Sequence, residues 1–293
     1  MKKYMPIKGG GTNLIAYITF LQGIAGRGII EGIEHYAGTS AGSIVSTVLA
    51  LGYTPDELYQ IMSSFNFASL EDSGGLFHMI EGELSERHGL YRGRAFQSWI
   101  EGRIAAKIGK PMATFEDLYK KGLPGLDIVT TYLNGGDALI CNYQNTPDVI
   151  VSEGVRASMS IPVIFDRFRF SQGINPAWDF VDGGVVMNYP IPLFDDKPED
   201  EVLGLFLHDV SNAHPPLEID GHGYLAFAKA NFEALMNAQD VMVLKNEKWV
   251  RQTVILDTKG QSSTDFKKTA ANQAILEQSG REAAEKYIKL QSL

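Results

Sequence analysis

Cysteine is nearly missing from this chain of 293 residues: Cys141, inside the apolar stretch "ALICNY", is the only one. A single cysteine excludes an intrachain disulfide framework and a cysteine-based metal cluster, and it fits a reducing compartment. No run of about 18 apolar residues occurs, the length that marks a bilayer-spanning helix. The opening "MKKYMPIKGGG" has lysines without an apolar segment behind them, so no cleaved signal peptide is expected. No Pro/Ser/Gly-rich linker, block of like charge or internal repeat divides the chain, and one domain is expected over residues 1–293. Positive charge is in short supply too, with 26 Lys and Arg against 35 Asp and Glu and a net charge of -9. That balance opposes nucleic acid as a partner. The expectation is a protein that is cytoplasmic or peripheral to membranes, with export without a cleaved signal left open.

Metal motifs are absent as well. None of the 6 histidines falls in a His-x-x-x-His or His-Glu-x-x-His spacing, and no loop has the acidic spacing of a calcium-binding EF-hand. No metal and no cofactor are expected.

What is present is apolar sequence in short alternating segments. At 44% hydrophobic residues the chain can bury a large core. Helical spacing begins directly after the first glycines, in "TNLIAYITFLQGIAGRGI". Then "EHYAGTSAG" reads as a strand and turn, and "SIVSTVLALGY" as an apolar helix ending near Gly52. Thr54, Pro55 and Glu57 mark the next helix as cap, first helical residue and closing carboxylate of a capping box. A looser stretch follows, read as a cap or lid insertion around 65–120, with a helix from about Arg94. Beyond it, "LDIVTTYL", "DALICNY", "DVIVSEG", "FRFSQG", "WDFVDGG", "EVLGLFLHD" and "RQTVILDT" read as β-rich segments. Helices are expected at "GVRASMSI", across "GYLAFAKANFEALMNAQDVMVLKNEKWV" and at the C-terminus. Strands alternating with helices predict an α/β fold with a mainly parallel sheet covered on both faces.

Three glycine-bearing segments carry candidate chemistry. In "AGTSAG", a strand-to-helix turn with Gly38 and Gly42 around Ser40 has the form of a nucleophile elbow, where the serine hydroxyl stands above a helix N-terminus. A serine capping a helix in a tight loop is the alternative. In "KGGGTN", Gly9, Gly10 and Gly11 leave backbone N–H groups uncovered, a nest suited to an oxyanion, or a plain turn. No Gly-Lys-Ser/Thr closes the run and no Gly-x-Gly-x-x-Gly is completed, so nucleotide-binding loops are excluded. In "FVDGGVVMNYP", an apolar strand delivers Asp182 into two glycines, where a carboxylate could take a proton from a hydroxyl. Asp-Gly is equally a common turn.

Together these segments resemble the patatin-like phospholipase family. The order is the family's: a glycine-rich run near the N-terminus, Gly38-Thr39-Ser40-Ala41-Gly42 some 30 residues on, and Asp182-Gly183-Gly184 far downstream. "VRASMSIPVIF" is similar to the family's Ala-Ser-x-x-x-Pro segment. The resemblance implies a three-layer α/β/α fold and a serine esterase acting on the acyl esters of phospholipids or lysophospholipids at a membrane or micelle surface. It implies a Ser40–Asp182 dyad without histidine, and an oxyanion hole drawn from Gly9, Gly10, Gly11 and Ala41. The sequence departs from the family at Asn13 and Leu14, where Lys or Arg followed by Gly is usual. That departure keeps a catalytically weak, lipid-binding or scaffold protein in view, and the sequence does not say whether an activating protein partner is needed.

Histidine supplies the competing account. His208, His214 and His222 follow Asp182, as a triad ordered Ser, Asp, His requires, and His208 at the end of an apolar strand is its best candidate. His35, His78 and His88 read as surface or packing residues. Phe65, Phe67, Leu76 and Phe77 could form a lid against lipid or pack a cap on the core. Trp178 and Phe180 could line an acyl channel, though core packing is the commoner role. Arg87, Arg92 and Arg94 read as a solvated basic face.

Overall fold

Apolar runs too short to make helices become strands, and the longer periodic ones become the helices between them. The computed structural model describes residues 1–63, 65, 88–210, 224–263 and 270–291. In chain order it has β1 (Tyr4–Ile7), a 3-10 turn (Gly11–Leu14), α1 (Ile15–Ile24), β2 (His35–Thr39), α2 (Ala41–Ala50), α3 (Pro55–Ser63) and β3 (Gly89–Tyr91). Next come α4 (Arg94–Ile108), α5 (Phe115–Lys120), β4 (Gly125–Tyr132), β5 (Asp137–Cys141), α6 (Val151–Ser158) and β6 (Val163–Phe165). The remainder is β7 (Phe180–Asp182), α7 (Gly184–Met187), β8 (Gly204–His208), α8 (Tyr224–Lys245), α9 (Glu247–Arg251), β9 (Thr253–Asp257) and α10 (Ala270–Gln291).

The main sheet runs in the order β5, β4, β2, β1, β8, β9. From β4 to β9 its neighbours are parallel, while β5 and β7 run antiparallel to β4. Helices flank it in a three-layer α/β/α arrangement: α2 lies on β2 and β4, α6 on β4, and α1 packs along α10. Tyr17, Phe20, Phe180 and Phe206 are among the largest side chains fully removed from water. Among the described residues no helix is long and apolar enough to cross a membrane.

The register on β4 decides where the chemistry sits. One edge of β4 is taken by β5 over Ile128–Tyr132, so β2 and β7 share the other. β2 pairs up to Thr39 with Val129, and β7 begins its pairing at Thr130 with Asp182. The two strands approach from opposite directions along one edge, and their C-terminal ends meet. Ser40 and Asp182, 142 positions apart in the chain, come together there.

The capping signal at Thr54 holds. The Thr54 N–H donates to Glu57 Oε2 at 2.7 Å and the Glu57 N–H to Thr54 Oγ1 at 3.1 Å, the reciprocal capping box. The long helix expected through 250 is broken at Asn246, whose side chain accepts from the Trp249 N–H and starts α9. Two strand expectations fail. "DVIVSEG" turns into α6 from Val151: every residue of this helix is buried, so packing on all sides overrides the strand preference of its valines. "FRFSQG" makes only an isolated bridge from Phe168 to Phe180 before bending away, and β6 forms earlier, at Val163–Phe165.

Within the expected insertion, α4 buries Phe96, Ile100 and Ile104, and Phe65 packs on Trp99 with ring centroids 4.8 Å apart. Phe67, Leu76, Phe77, His78 and Arg87 lie outside the described residues, as do His214 and His222. Phe180 is core, with its ring edge-on to Phe170, while Trp178 is partly exposed against Tyr132.

Candidate active site

Ser40 sits where β2 turns into α2 with φ 52° and ψ -127°, backbone that a non-glycine residue enters only under strain. The flanking glycines permit that turn. A Cβ on Gly38 would lie 2.4 Å from the Gly42 carbonyl oxygen, and one on Gly42 would lie 2.3 Å from the Ile7 carbonyl oxygen. Only hydrogen at both positions lets β1, β2 and α2 converge this closely. The Ser40 N–H donates to Ser158 Oγ at 2.8 Å, and its carbonyl accepts from the Ser43 N–H and hydroxyl at 2.9 and 2.6 Å. The Ser40 hydroxyl is left to donate to Asp182 Oδ2, at 2.7 Å.

Asp182 is fully buried and held at three further points. Its N–H donates to the Ser160 carbonyl at 2.8 Å, Thr131 Oγ1 donates to its carbonyl at 2.9 Å, and the Gly184 N–H donates to Oδ1 at 2.7 Å. Gly183 must be glycine, since a Cβ there would meet the Val129 carbonyl oxygen at 2.2 Å. Burial raises the Asp182 carboxyl to a pKa of about 7, against the opposing pull of the Ser40 hydroxyl and the Gly184 N–H. A carboxylate that titrates near neutrality can both take up and return a proton at pH 7. The segment "VRASMSIPVIF" now has a physical role: Ser158 fixes the backbone of Ser40 and Ser160 fixes the backbone of Asp182.

The glycine run lies against the same point. A Cβ on Gly9 would stand 3.1 Å from Ser40 Cβ and 2.2 Å from Asn188 Oδ1. Its N–H donates to the Asn188 carbonyl at 2.9 Å, so Gly9 contributes close approach to Ser40 and not a spare donor, unlike its expected place in an oxyanion hole. Gly11 has φ +52°, and a Cβ there would fall 2.0 Å from the Ser263 carbonyl oxygen. The N–H groups of Gly10, Gly11 and Ala41 make no hydrogen bond among the described residues. The Ala41 N–H opens α2, so the positive end of that helix adds to the field at Ser40.

A cavity of about 440 Å³ opens over Ser40, bounded by the glycine run on one side and by β8 and α8 on the other. Its far wall holds a cluster without an evident sequence motif. Lys8 Nζ donates to Asp240 Oδ2 at 2.7 Å and to the Leu207 carbonyl at 2.8 Å, and lies 4.4 Å from the Phe206 ring centre. Burial pushes the Lys8 ammonium below the usual lysine range, with Asp240 opposing that shift. His208 Nδ1 is 3.4 Å from the same Asp240 oxygen. The carboxylate beside His208 is therefore Asp240, and the carboxylate beside Ser40 is Asp182.

Asn13 lines this cavity and is buried, donating from Nδ2 to the Gln261 carbonyl at 2.9 Å. Leu14 points into the core. Sequence reasoning missed Lys8, Asn188, Gln239 and Asp240. Gln239 accepts from the Asn188 N–H at 2.7 Å and donates to the Gly184 carbonyl at 2.8 Å, which ties α8 to the turn after Asp182. A lysine at the end of an apolar strand, directly before three glycines, was the one visible hint.

Comparison with known proteins finds relatives in sequence and in fold. Over 286 residues the chain is 28% identical to the uncharacterized protein YqhO of Bacillus subtilis, covering 92% of this chain and 95% of the relative. It is 24% identical over 192 residues to the probable lipid hydrolase 463L of Invertebrate iridescent virus 6, covering 65% of this chain and 62% of that protein. The fold matches that of VipD from Legionella pneumophila with a TM-score of 0.64 at 16% identity, over 97% of this chain and 66% of VipD. The chain thus spans less than two thirds of the last two. The family model for patatin-like phospholipase matches residues 7–195, from the end of β1 past Asp182, and on that match the chain belongs to the patatin-like phospholipase family.

Proposed function

We propose that this protein is a lipid acyl hydrolase that cleaves carboxyl-ester bonds of phospholipids or lysophospholipids with Ser40 and Asp182 as its dyad. The observation that carries the reading is the 2.7 Å hydrogen bond from the Ser40 hydroxyl to a fully buried carboxylate. In the first half-reaction Ser40 Oγ attacks the ester carbonyl carbon while its proton passes to Asp182 Oδ2. The carbonyl oxygen becomes an oxyanion that accepts from the N–H groups of Gly10, Gly11 and Ala41. Collapse breaks the bond to the leaving alcohol, which takes the proton from Asp182. In the second half a water gives its proton to Asp182 and attacks the acyl-serine, and the fatty acid departs as Ser40 recovers its hydrogen. A partly dry site and a carboxyl pKa near 7 make the aspartate a competent base without histidine.

Asn13, where the family usually carries a cation, supports a second reading: a lipid-binding protein with little turnover on the same fold. Fatty-acid release from phosphatidylcholine and lysophosphatidylcholine vesicles, followed by mass spectrometry, separates the two. The hydrolase releases fatty acid and is labelled at Ser40 by a fluorophosphonate, and Ser40→Ala does neither. Folded wild-type protein that neither releases acid nor takes the label would end the hydrolase reading.

A further inference from the structure

α8 is apolar on both of its sides: Phe232 and Val243 pack inward, and a second set of apolar side chains faces out. Its carboxylates Glu233 and Asp240 lie on the side that lines the cavity, with Met236 between them. The opposite side carries Phe227, Ala234, Leu235, Ala238, Val241 and Met242, all exposed. These six recur at intervals of three, four and seven residues, which gathers them on one stripe of a 3.6-residue helix. The large ones are far out in solvent: Phe227 is 60% exposed, Leu235 48%, Val241 51% and Met242 70%. Asn231, which donates from Nδ2 to the Phe227 carbonyl at 2.7 Å, is the one polar residue within the stripe, and no charged residue falls on it until Lys245 at its end. An ordinary amphipathic helix of a globular protein keeps its outer face polar, and a run of exposed apolar surface marks a site of interaction.

We propose that the outer face of α8 docks on a lipid surface and sets the mouth of the cavity against it. The occupant follows from what the two sides of one helix do. The inner side borders the space above Ser40, and a helix is only about 10 Å across with its side chains. A lipid layer in contact with the outer side is therefore within one helix width of the cavity where an acyl ester reacts. This choice of occupant rests on the lipid acyl hydrolase reading given above. The chemistry of the stripe selects the kind of surface: aliphatic and aromatic groups without a basic cluster, on a chain of net charge -9, suit a zwitterionic or neutral lipid layer. Attraction to anionic lipid would need the lysines and arginines that this face lacks.

Vesicles of phosphatidylcholine and two kinds of variant test the proposal, with Ser40→Ala as the common background so that binding is read without turnover. Flotation should show this protein bound, with little change between 50 mM and about 500 mM salt, because the attraction is apolar. Leu235→Glu combined with Met242→Glu should weaken binding at least about 10-fold. In the otherwise wild-type protein the same pair should leave hydrolysis of a short soluble ester within about twofold. Met242→Cys gives a second reading: Cys141 is buried, so an environment-sensitive fluorophore attaches at position 242 and should shift to shorter wavelength on vesicles. Unchanged flotation of the double Glu variant, or a fluorophore that does not respond, would overturn the proposal. So would a wild-type dimer that Leu235→Glu breaks while vesicle binding persists, because a second copy would then be the occupant. Vesicle binding that depends on Leu235 and Met242, in a wild-type protein that releases no fatty acid, would sink the hydrolase reading and leave the docking face standing.

Discussion

Around Ser40 and Asp182 the polar contacts run mostly between side chain and main chain, whereas across the cavity Lys8, His208 and Asp240 meet through their side chains. Ser158 Oγ, the Ser160 carbonyl and the Gly184 N–H hold the first pair in place, and among the described residues no cation offsets the burial of Asp182. On the other wall a buried ammonium and a buried carboxylate neutralise each other at 2.7 Å. One wall thus keeps a carboxylate uncompensated and near its titration point, while the other locks its charges in a pair. On the reading proposed above, the difference separates a group held ready to exchange a proton from groups that hold the wall together.

Removing the uncompensated carboxylate should have the largest effect. Asp182→Ala is expected to lower fatty-acid release by about 10⁴-fold or more, as loss of one member of a mutually dependent catalytic unit does. Steady-state rates on lysophosphatidylcholine measure it, and a loss below about tenfold would mean that the proton goes elsewhere.

Asp182→Asn sharpens the contrast through stability. The folded-state pKa of about 7 lies above the ordinary value of 3.8, so between those pH values the folded protein holds a proton that the unfolded chain releases. The contribution of this group to stability is fully present below pH 4 and is lost as pH rises through 7. The rise from 3.8 to about 7 corresponds to roughly 4 kcal/mol. Asp182→Asn, inactive, should therefore be more stable than wild type by a few kcal/mol at pH 8 and nearly equal to it at pH 4, read from denaturant midpoints. Wild-type activity should rise with pH with a midpoint near 7, since Asp182 must be ionised to act as a base. Equal stability of the two proteins at pH 8 would contradict the buried, uncompensated state of Asp182.

The opposite wall should respond in the opposite manner. Lys8→Met removes the partner of Asp240 and leaves a buried charge, at an expected cost of about 3 kcal/mol in stability. Adding Asp240→Leu should restore most of that loss, because two apolar side chains need no partner. Thermal or denaturant unfolding of the single and double variants gives the coupling directly. If the double variant is as unstable as the sum of its parts, the pair contributes little as a pair.

The two walls also differ in how much of them the sequence announces. The Ser40 side rests on short motifs in which geometry demands glycine: Gly38 and Gly42 clear the path of β1 and α2, and Gly183 clears Val129. Motifs of that sort are local, so Ser40, Asp182 and the mainly parallel sheet are legible in the order of the residues alone. The other wall is assembled from Lys8, His208 and Asp240, 200 and 32 positions apart in succession, and nothing local connects them. The turn of "DVIVSEG" into α6 and the pairing of the Gly9 N–H with Asn188 failed to show for the same reason, since both are set by tertiary neighbours. The outward apolar stripe of α8 escaped because a periodic apolar face in sequence is ordinarily the face that packs inward.

The smallest expected effect belongs to His208→Ala, and it tests the division between the two walls most closely. A triad needs its histidine between the serine and the carboxylate, yet here Ser40 donates to Asp182 directly and His208 lies 3.4 Å from Asp240 on the far side. The change should lower kcat/KM by less than about tenfold, through the packing and polarity of the cavity wall. A pH–rate midpoint alone would not assign the base, because an ordinary imidazole titrates near 6.5, close to the raised carboxyl of Asp182. The variant makes the assignment. If the midpoint near 7 survives without His208, the titrating group is the buried aspartate; if activity falls about 10³-fold and the midpoint disappears, the proton path crosses the cavity and the two walls act as one.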